Sequence, residues 1–543
     1  MLDVLLRNGR VIDGTGAPWF RADIGVASGC IVAIGPQLSQ PARRVIDVDE
    51  AFVTPGFVDP HSHGDYGVTV FPAAENLLRQ GVTTAIVGQC GVSLAPLSEK
   101  AESLILSQFP FLPEKLRRAG GLPWRSFGEY LAYVARIRPT INLGALVGHG
   151  ALRALAMGHE DRVPQPDELR QMQQLLETCL EEGALGMSTG LIYPPGAYST
   201  TDELISLATI LRKHRRLYAT HLRSETDQLL RAFEEALAIG RASAVSLHIS
   251  HHKVAGSRNW GLVRQTLSRM ETARDEGIDV TCDAYPYTAG STSLAALLPP
   301  WAAEGGPEGI RVSLSKRTRR IQVAEALDES NCDWENLFGS VGPDRITLVT
   351  CPGHPDLVGK SLTEAAGVLD RPIHDALFDL ICEFPTGTLV VLFEMSEDDV
   401  KHAICHRLSM ICSDGDIAPA LGGRLHPRTF GSFARALVGT HTGEYPIATE
   451  EMIRKMTSFP AQRMGLLDRG VLREGLAADI LVFREEEIEE RCSYDTPNQY
   501  ARGMDFVMIN GVPVIEQGKL TGARPGTVLR SAGDQPQGLA RRN

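Results

Sequence analysis

The sequence predicts an α/β fold: a closed, TIM-like (β/α)8 barrel joined to a small composite β-sandwich domain made from both termini. Three observations predict it. Between residues 55 and 455, short apolar runs alternate with amphipathic helical stretches, the pattern of a parallel sheet with crossover helices. The number of such units fits a closed barrel better than an open sheet. Residues 1–54 and 456–543 read as β instead, and each holds an Asn-Gly pair between strand-like runs, a strong hairpin signal.

Length and composition set the outer bounds. A chain of 543 residues exceeds one small core, so a large domain with an accessory domain is expected. Apolar residues at 43% and charged residues at 22% are those of a water-soluble globular protein. A net charge of −12 argues against nucleic acid as partner, because phosphate binding requires basic surface. A small-molecule substrate, even an anionic one, needs only a local positive site. No apolar run reaches the ~18 residues of a membrane span, and the N-terminus lacks the pattern of a secretory signal. The ten Cys are scattered without pairing, which fits a reducing compartment, by default the cytoplasm. Nothing in the sequence specifies an oligomeric state.

In chain order, Val4-Leu5-Leu6 leads to Asn8-Gly9, then Val11-Ile12, the first expected hairpin. The runs at 23–26 and 30–34 flank Ser28-Gly29 and give another strand pair. The C-terminal counterpart has a run at 478–483 and a hairpin at Asn510-Gly511. Barrel strands are expected at 57–58, 83–88, 141–149, 184–188, 217–221, 244–251, 279–285 and 410–414. A helix is expected over 166–182, with apolar Leu169, Met172, Leu175, Leu176, Cys179 and Leu180 at helical spacing. Between about 294 and 350 the alternation lapses. Pro299-Pro300, Gly305-Gly306-Pro307 and Lys316-Arg317-Thr318-Arg319-Arg320 read as an insertion over the barrel mouth, the basic cluster as a solvated helix face. The tail 535–543 reads as frayed.

The chemistry-bearing residues share one placement. After the Pro55-Gly56 turn come Phe57-Val58, then His61 and His63, which alternate strand geometry points to one side. Cys90, His221, His251, Tyr285 and Asp414 each end an apolar run, and strand C-termini are where barrels place their chemistry. A lone His or Cys is more often an inert core residue than a ligand. Several converging imidazoles and a thiolate would instead suit zinc. Zinc with an open position lowers the pKa of bound water towards about 7. A neighbouring carboxylate could then take that proton and return it to a leaving amine. That is the equipment for hydrolysing an amide.

Eight motifs carry a resemblance: Pro55-Gly56-Phe57-Val58-Asp59-Pro60-His61-Ser62-His63; Gly81-Val82-Thr83-Thr84 with Gly88-Gln89-Cys90-Gly91; Ser188-Thr189-Gly190-Leu191-Ile192-Tyr193; Thr220-His221-Leu222-Arg223; Ile249-Ser250-His251-His252-Lys253; Asp283-Ala284-Tyr285-Pro286-Tyr287 with Gly290-Ser291; Ser413-Asp414-Gly415; and His426-Pro427-Arg428. They span nearly the whole barrel in order. The chain resembles the amidohydrolase superfamily of metallohydrolase barrels and, within it, the N-acyl-D-amino-acid deacylases (D-aminoacylases). The resemblance implies zinc-dependent hydrolysis of N-acyl-D-amino acids to a carboxylate and a free D-amino acid. It implies one tight Zn2+ held by Cys90, His221 and His251. His61 and His63 would form a second position, weak or empty, with Cys90 between the two. Asp414 would be the catalytic base and acid. Lys253, Tyr193, Tyr285 and Arg428 would hold the substrate carboxylate, with Ser291 near the substrate; a fixed carboxylate needs converging cations and hydroxyls.

Five details refine this expectation. Hydantoinases and dihydroorotases of the same superfamily use a carbamylated lysine after the fourth strand. Here 184–190 has no lysine, and Cys90 can supply the bridging anion. His252 should point away from His251, since neighbours on a strand alternate. His149 also ends a run and is assigned a structural role. The stretch 415–425 is longer than the family pattern and bears on the reach of Arg428. The absence of Arg or Lys from 285–301 favours neutral or apolar substrate side chains over acidic ones. The rival readings are another amidohydrolase acting on a cyclic amide or a D-aminoacyl dipeptide, and a non-catalytic relative that has lost its metal. A substrate panel separates the former, a metal analysis the latter.

Overall fold

The computed structural model describes residues 1–99, 101–106, 121–420 and 424–530. The expected frayed tail lies outside these, as does part of the 415–425 stretch.

Eight parallel strands form the barrel: Phe57–Asp59, Val82–Val87, Asn142–Ala145 continued by Val147–Gly148, Gly186–Gly190, Leu217–His221, Ser246–Ile249, Val280–Ala284 and Ser409–Ile411. Every residue of these strands is buried except the partly exposed Ser246. This is the near-continuous apolar and small-residue pattern of a parallel sheet covered on both faces. The circle closes where Ser62 pairs with Gly415, which brings the first and last strand ends together. The crossover helices follow from their sequences. Pro166–Glu181 starts with Pro at its first turn and Glu168 in a capping box, and it buries Met172, Leu176, Cys179 and Leu180. Each such Leu stabilises the packing by about 1.5–3 kcal/mol relative to exposure.

The second sheet has nine strands drawn from both ends of the chain. The two contributions meet where Phe52–Pro55 runs antiparallel to Ile480–Phe483, with Phe52 opposite Phe483 and Val53 opposite Val482. Asn510-Gly511 forms the expected turn between Met504–Ile509 and Val512–Glu516. Asn8-Gly9 does not. Leu2–Val11 passes through it as one strand, with a register shift between Leu6 and Gly9 and φ +63° at Asn8. The backbone flexibility that signals a turn here makes a bulge instead.

Asp479 ties this sheet to the barrel. Its carboxylate accepts from the side chain of Asn142 on the third barrel strand (3.0 Å) and from the backbone of Asn510 (2.7 Å), and it pairs with buried Arg469. Asp479→Ala would leave Arg469 without this carboxylate and two donors unmet. A loss of about 3 kcal/mol is expected, read as a lowered midpoint in urea denaturation.

A third unit sits over the barrel mouth. Gly290–Ser293, Leu389–Leu392 and Ile346–Thr350 form an antiparallel sheet with its own apolar cluster, including Leu297, Ile310, Leu327, Phe338 and Phe378. The excursion therefore runs from Gly290 to Leu392, beyond the expected 294–350. The run 389–392 is as apolar as a barrel strand, so composition alone does not separate them. The basic cluster is also more than a solvated face. The Arg319 guanidinium lies 4.4 Å from the Trp301 ring, and Arg320 pairs with Asp379 at 2.7 Å. Among the described residues, no helix is long and apolar enough to cross a membrane.

Candidate metal centre and active site

The barrel brings Cys90, His61, His221 and His251 together at the C-terminal ends of its strands. Cys90 Sγ lies 3.3 Å from His251 Nε2, 3.5 Å from His61 Nε2 and 3.9 Å from His221 Nδ1. His221 Nδ1 and His251 Nε2 face each other at 2.9 Å. All four residues are buried. Local backbone geometry creates this convergence. Gly88 adopts φ +79°, and a side chain there would collide with the Leu146 carbonyl at 2.0 Å. The chain can therefore bend sharply at the second strand end and carry Cys90 over the barrel axis. Cys90, His251 and Asp414 themselves have φ of +52°, +34° and +45°. Non-glycine residues rarely occupy this left-handed region, and such strain clusters at functional sites.

Asp414 follows the eighth strand and faces the first. Its backbone N–H donates to the His61 carbonyl at 2.9 Å, and the His63 N–H donates to the Gly415 carbonyl at 2.8 Å. This pairing sets the Asp414 carboxylate against the two imidazoles: Oδ1 is 3.1 Å from His63 Nε2 and 3.4 Å from His61 Nε2. Oδ2 pairs with Arg428 Nη1 at 2.6 Å. Arg428 thus reaches the site despite the long preceding stretch. Burial disfavours charge on Asp414, yet the Arg428 guanidinium and the imidazoles hold its carboxyl well below the usual range.

The donor set fits a zinc ion. Burial alone would raise the Cys90 thiol, but His251 and His61 pull it well below its ordinary value, toward the thiolate that binds metal. Two facing imidazole nitrogens 2.9 Å apart cannot both carry protons, an arrangement that suits lone pairs directed at one cation. The outer nitrogens, His221 Nε2 and His61 Nδ1, face the carboxylates of Glu225 at 3.7 Å and Asp283 at 3.6 Å, which leaves the inner nitrogens to the cluster. Ligand atoms of His61, Cys90 and His251 lie within 4.8 Å of one another, as do those of His61, His63 and Asp414, and of His221, Glu225 and His251.

Residues that orient this cluster were not evident in the sequence. Asp283 accepts from His248 Nε2 at 2.7 Å, lies 3.6 Å from His61 Nδ1 and receives the His251 backbone N–H. Glu225 Oε1 lies 3.2 Å from His251 Nδ1 and accepts from Lys253 Nζ at 2.9 Å. Burial opposes its charge, but Lys253 and the two imidazoles hold it well below the carboxylate norm. Glu225 follows His221 by four residues, a spacing that could have flagged it.

The expected substrate contacts line one cavity of about 320 Å³ with the metal cluster. Tyr285 presents a buried hydroxyl without a hydrogen-bond partner, with the Arg428 guanidinium 4.8 Å from its ring centroid. The Tyr193 hydroxyl is 3.1 Å from Thr292 Oγ1. Ser291 reaches the wall, but its hydroxyl donates to the Val390 carbonyl at 2.9 Å. Lys253 Nζ also lies 2.6 Å from His251 Nδ1. His252 turns away, with Nε2 2.8 Å from Thr266 Oγ1, and His149 pairs with buried Glu203 at 2.8 Å.

Comparison with known proteins adds an independent line. The amidohydrolase family model matches residues 44–324. The chain is 34% identical to a D-aminoacylase of Alcaligenes xylosoxydans xylosoxydans over 532 residues, 97% of each chain. Among solved structures, an N-acyl-D-glutamate deacylase of Bordetella bronchiseptica, complexed with zinc and a phosphonate mimic of the tetrahedral intermediate, superposes with a TM-score of 0.81. That match has 34% identity and covers 98% of this chain and 100% of the other. A D-aminoacylase studied for its binuclear metal centre superposes with a TM-score of 0.80, at 34% identity and with the same coverage.

Proposed function

The chain belongs to the amidohydrolase family, alongside the N-acyl-D-amino-acid deacylases, and from that premise we propose how its site hydrolyses its substrate. It is a zinc-dependent amidohydrolase that cleaves the amide bond of N-acyl-D-amino acids. The observation that carries this reading is the buried thiolate–imidazole cluster facing the Asp414–Arg428 pair across one cavity.

Cys90, His221 and His251 would hold the tight zinc, and His61 and His63 a second, weaker position next to Cys90. Zinc bound there would supply Lewis acidity toward the acyl carbonyl and the attacking water. Asp414 Oδ1 takes the proton from the attacking water and later delivers it to the departing amine nitrogen. Arg428 keeps this carboxylate ionised and oriented. Lys253, Tyr285, Tyr193 and Arg428 draw in the substrate carboxylate, with Ser291 at the adjoining wall. Asp283 and Glu225 fix the rotation of the ligand imidazoles.

The test is turnover of matched N-acetyl-D- and N-acetyl-L-amino acids by the full chain loaded with zinc. The D series is expected to be favoured by about a hundredfold or more in kcat/KM, the equivalent of two or three misplaced contacts. Equal rates for both series, or hydrolysis of a cyclic amide instead, would refute the assignment.

A further inference from the structure

One acidic group on the cavity wall is unused by this mechanism. Glu394 is only 5% exposed and lines the cavity with Lys253, Arg428 and Tyr285. Its neighbour Gly290 leaves it room, since a side chain there would meet Glu394 Oε1 at 2.3 Å. Among the described residues, no hydrogen-bond donor and no ion-pair partner reaches its carboxylate.

The other carboxylates of the region are satisfied. Glu225 pairs with Lys253 at 2.9 Å, and Asp414 with Arg428 at 2.6 Å. Glu335 accepts from the hydroxyls of Ser224 and Thr226 (both 2.6 Å) and from the Glu225 N–H at 3.0 Å. The two cations that act on Glu394, Lys253 and Arg428, are thus already engaged, by Glu225 and by Asp414. When the substrate carboxylate arrives at Lys253 and Arg428, these two cations are occupied further. Burial without a partner disfavours the ionised form of such a carboxyl, and a cation directed at it would restore that form. Burial accordingly pushes the Glu394 carboxyl up to about 8, with Lys253 opposing and Glu225 reinforcing the shift.

Given the deacylase reading, on which this rests, we propose that Glu394 determines side-chain specificity and that the preferred substrates are N-acyl-D-amino acids ending in an ammonium or guanidinium group. A cationic side chain placed there would favour the ionised form of Glu394 that burial otherwise suppresses. An apolar one would leave it unpaired. Apolar side chains on the same walls, including Ile192, Leu337 and Leu392, suit the methylenes of such a chain.

The experiment compares N-acetyl-D-lysine with N-acetyl-D-norleucine, which has the same carbon chain without the ammonium. In the zinc-loaded wild-type protein, lysine is expected to be favoured about tenfold or more in kcat/KM, and Glu394→Gln should lower that ratio by about tenfold. Norleucine preferred by the wild type, or both substrates slowed equally by Glu394→Gln, would overturn the proposal. Calorimetric binding of the two compounds to the zinc-loaded wild type keeps the two readings apart. Tighter binding of the lysine compound without turnover would remove the deacylase reading and support the subsite. Turnover without lysine preference would do the reverse.

Discussion

Asp414→Asn is expected to lower kcat by about three orders of magnitude, the middle of the range for a lost acid–base group, while zinc content and fold are unchanged. The change is isosteric and keeps an oxygen toward His63 and His61, so the loop after the eighth strand has no reason to move. It removes the negative charge that pairs with Arg428 and the basicity that accepts a proton. Steady-state kinetics and metal analysis on the same preparation check it. Retained turnover would assign proton transfer elsewhere. A fall in zinc content would make Asp414 chiefly a ligand, a role its 3.1–3.4 Å approach to both imidazoles also permits.

Cys90→Ser is expected to abolish tight zinc binding, and activity with it. Serine keeps the size but not the charge, because a hydroxyl stays protonated where this thiol ionises. The remaining imidazoles lose the anion that lies 3.3–3.9 Å from three of them. After dialysis against a weak chelator, wild type should keep zinc and the variant should not. Full zinc occupancy in Cys90→Ser would shift the tight site onto the imidazoles alone. Asp414→Asn and Cys90→Ser therefore separate chemistry from metal retention: one should lose catalysis with metal, the other both.

The barrel was legible in the sequence because each strand is short, apolar and ended by a polar residue. The same signal located Cys90, His221, His251 and Asp414, which line one cavity although up to 324 residues apart. Where the signal was local but ambiguous, reading failed. Asn8-Gly9 permits both a turn and a bulge, and tertiary pairing with Asp23 and Ala22 selects the bulge. The apolar run 389–392 has the composition of a barrel strand, but its partners are Gly290–Ser293 and Ile346–Thr350. The orienting roles of Glu225 and Asp283 depend on side-chain geometry that spacing alone does not encode. Glu394 is less legible still. Its significance is the lack of a partner among the described residues, which no local sequence pattern encodes.

The pairing of Phe52–Pro55 with Ile480–Phe483 has a consequence for how the chain is made. Phe52 leaves the ribosome more than 400 residues before its partner Phe483. At about 5–20 residues per second, that interval is roughly 20–90 s. Throughout it, the strand edge at 52–55 lacks its eventual neighbour, and unpaired edges template aggregation. Synthesis rate and chaperone supply should therefore govern the soluble yield of this protein more strongly than the stability of the finished molecule does.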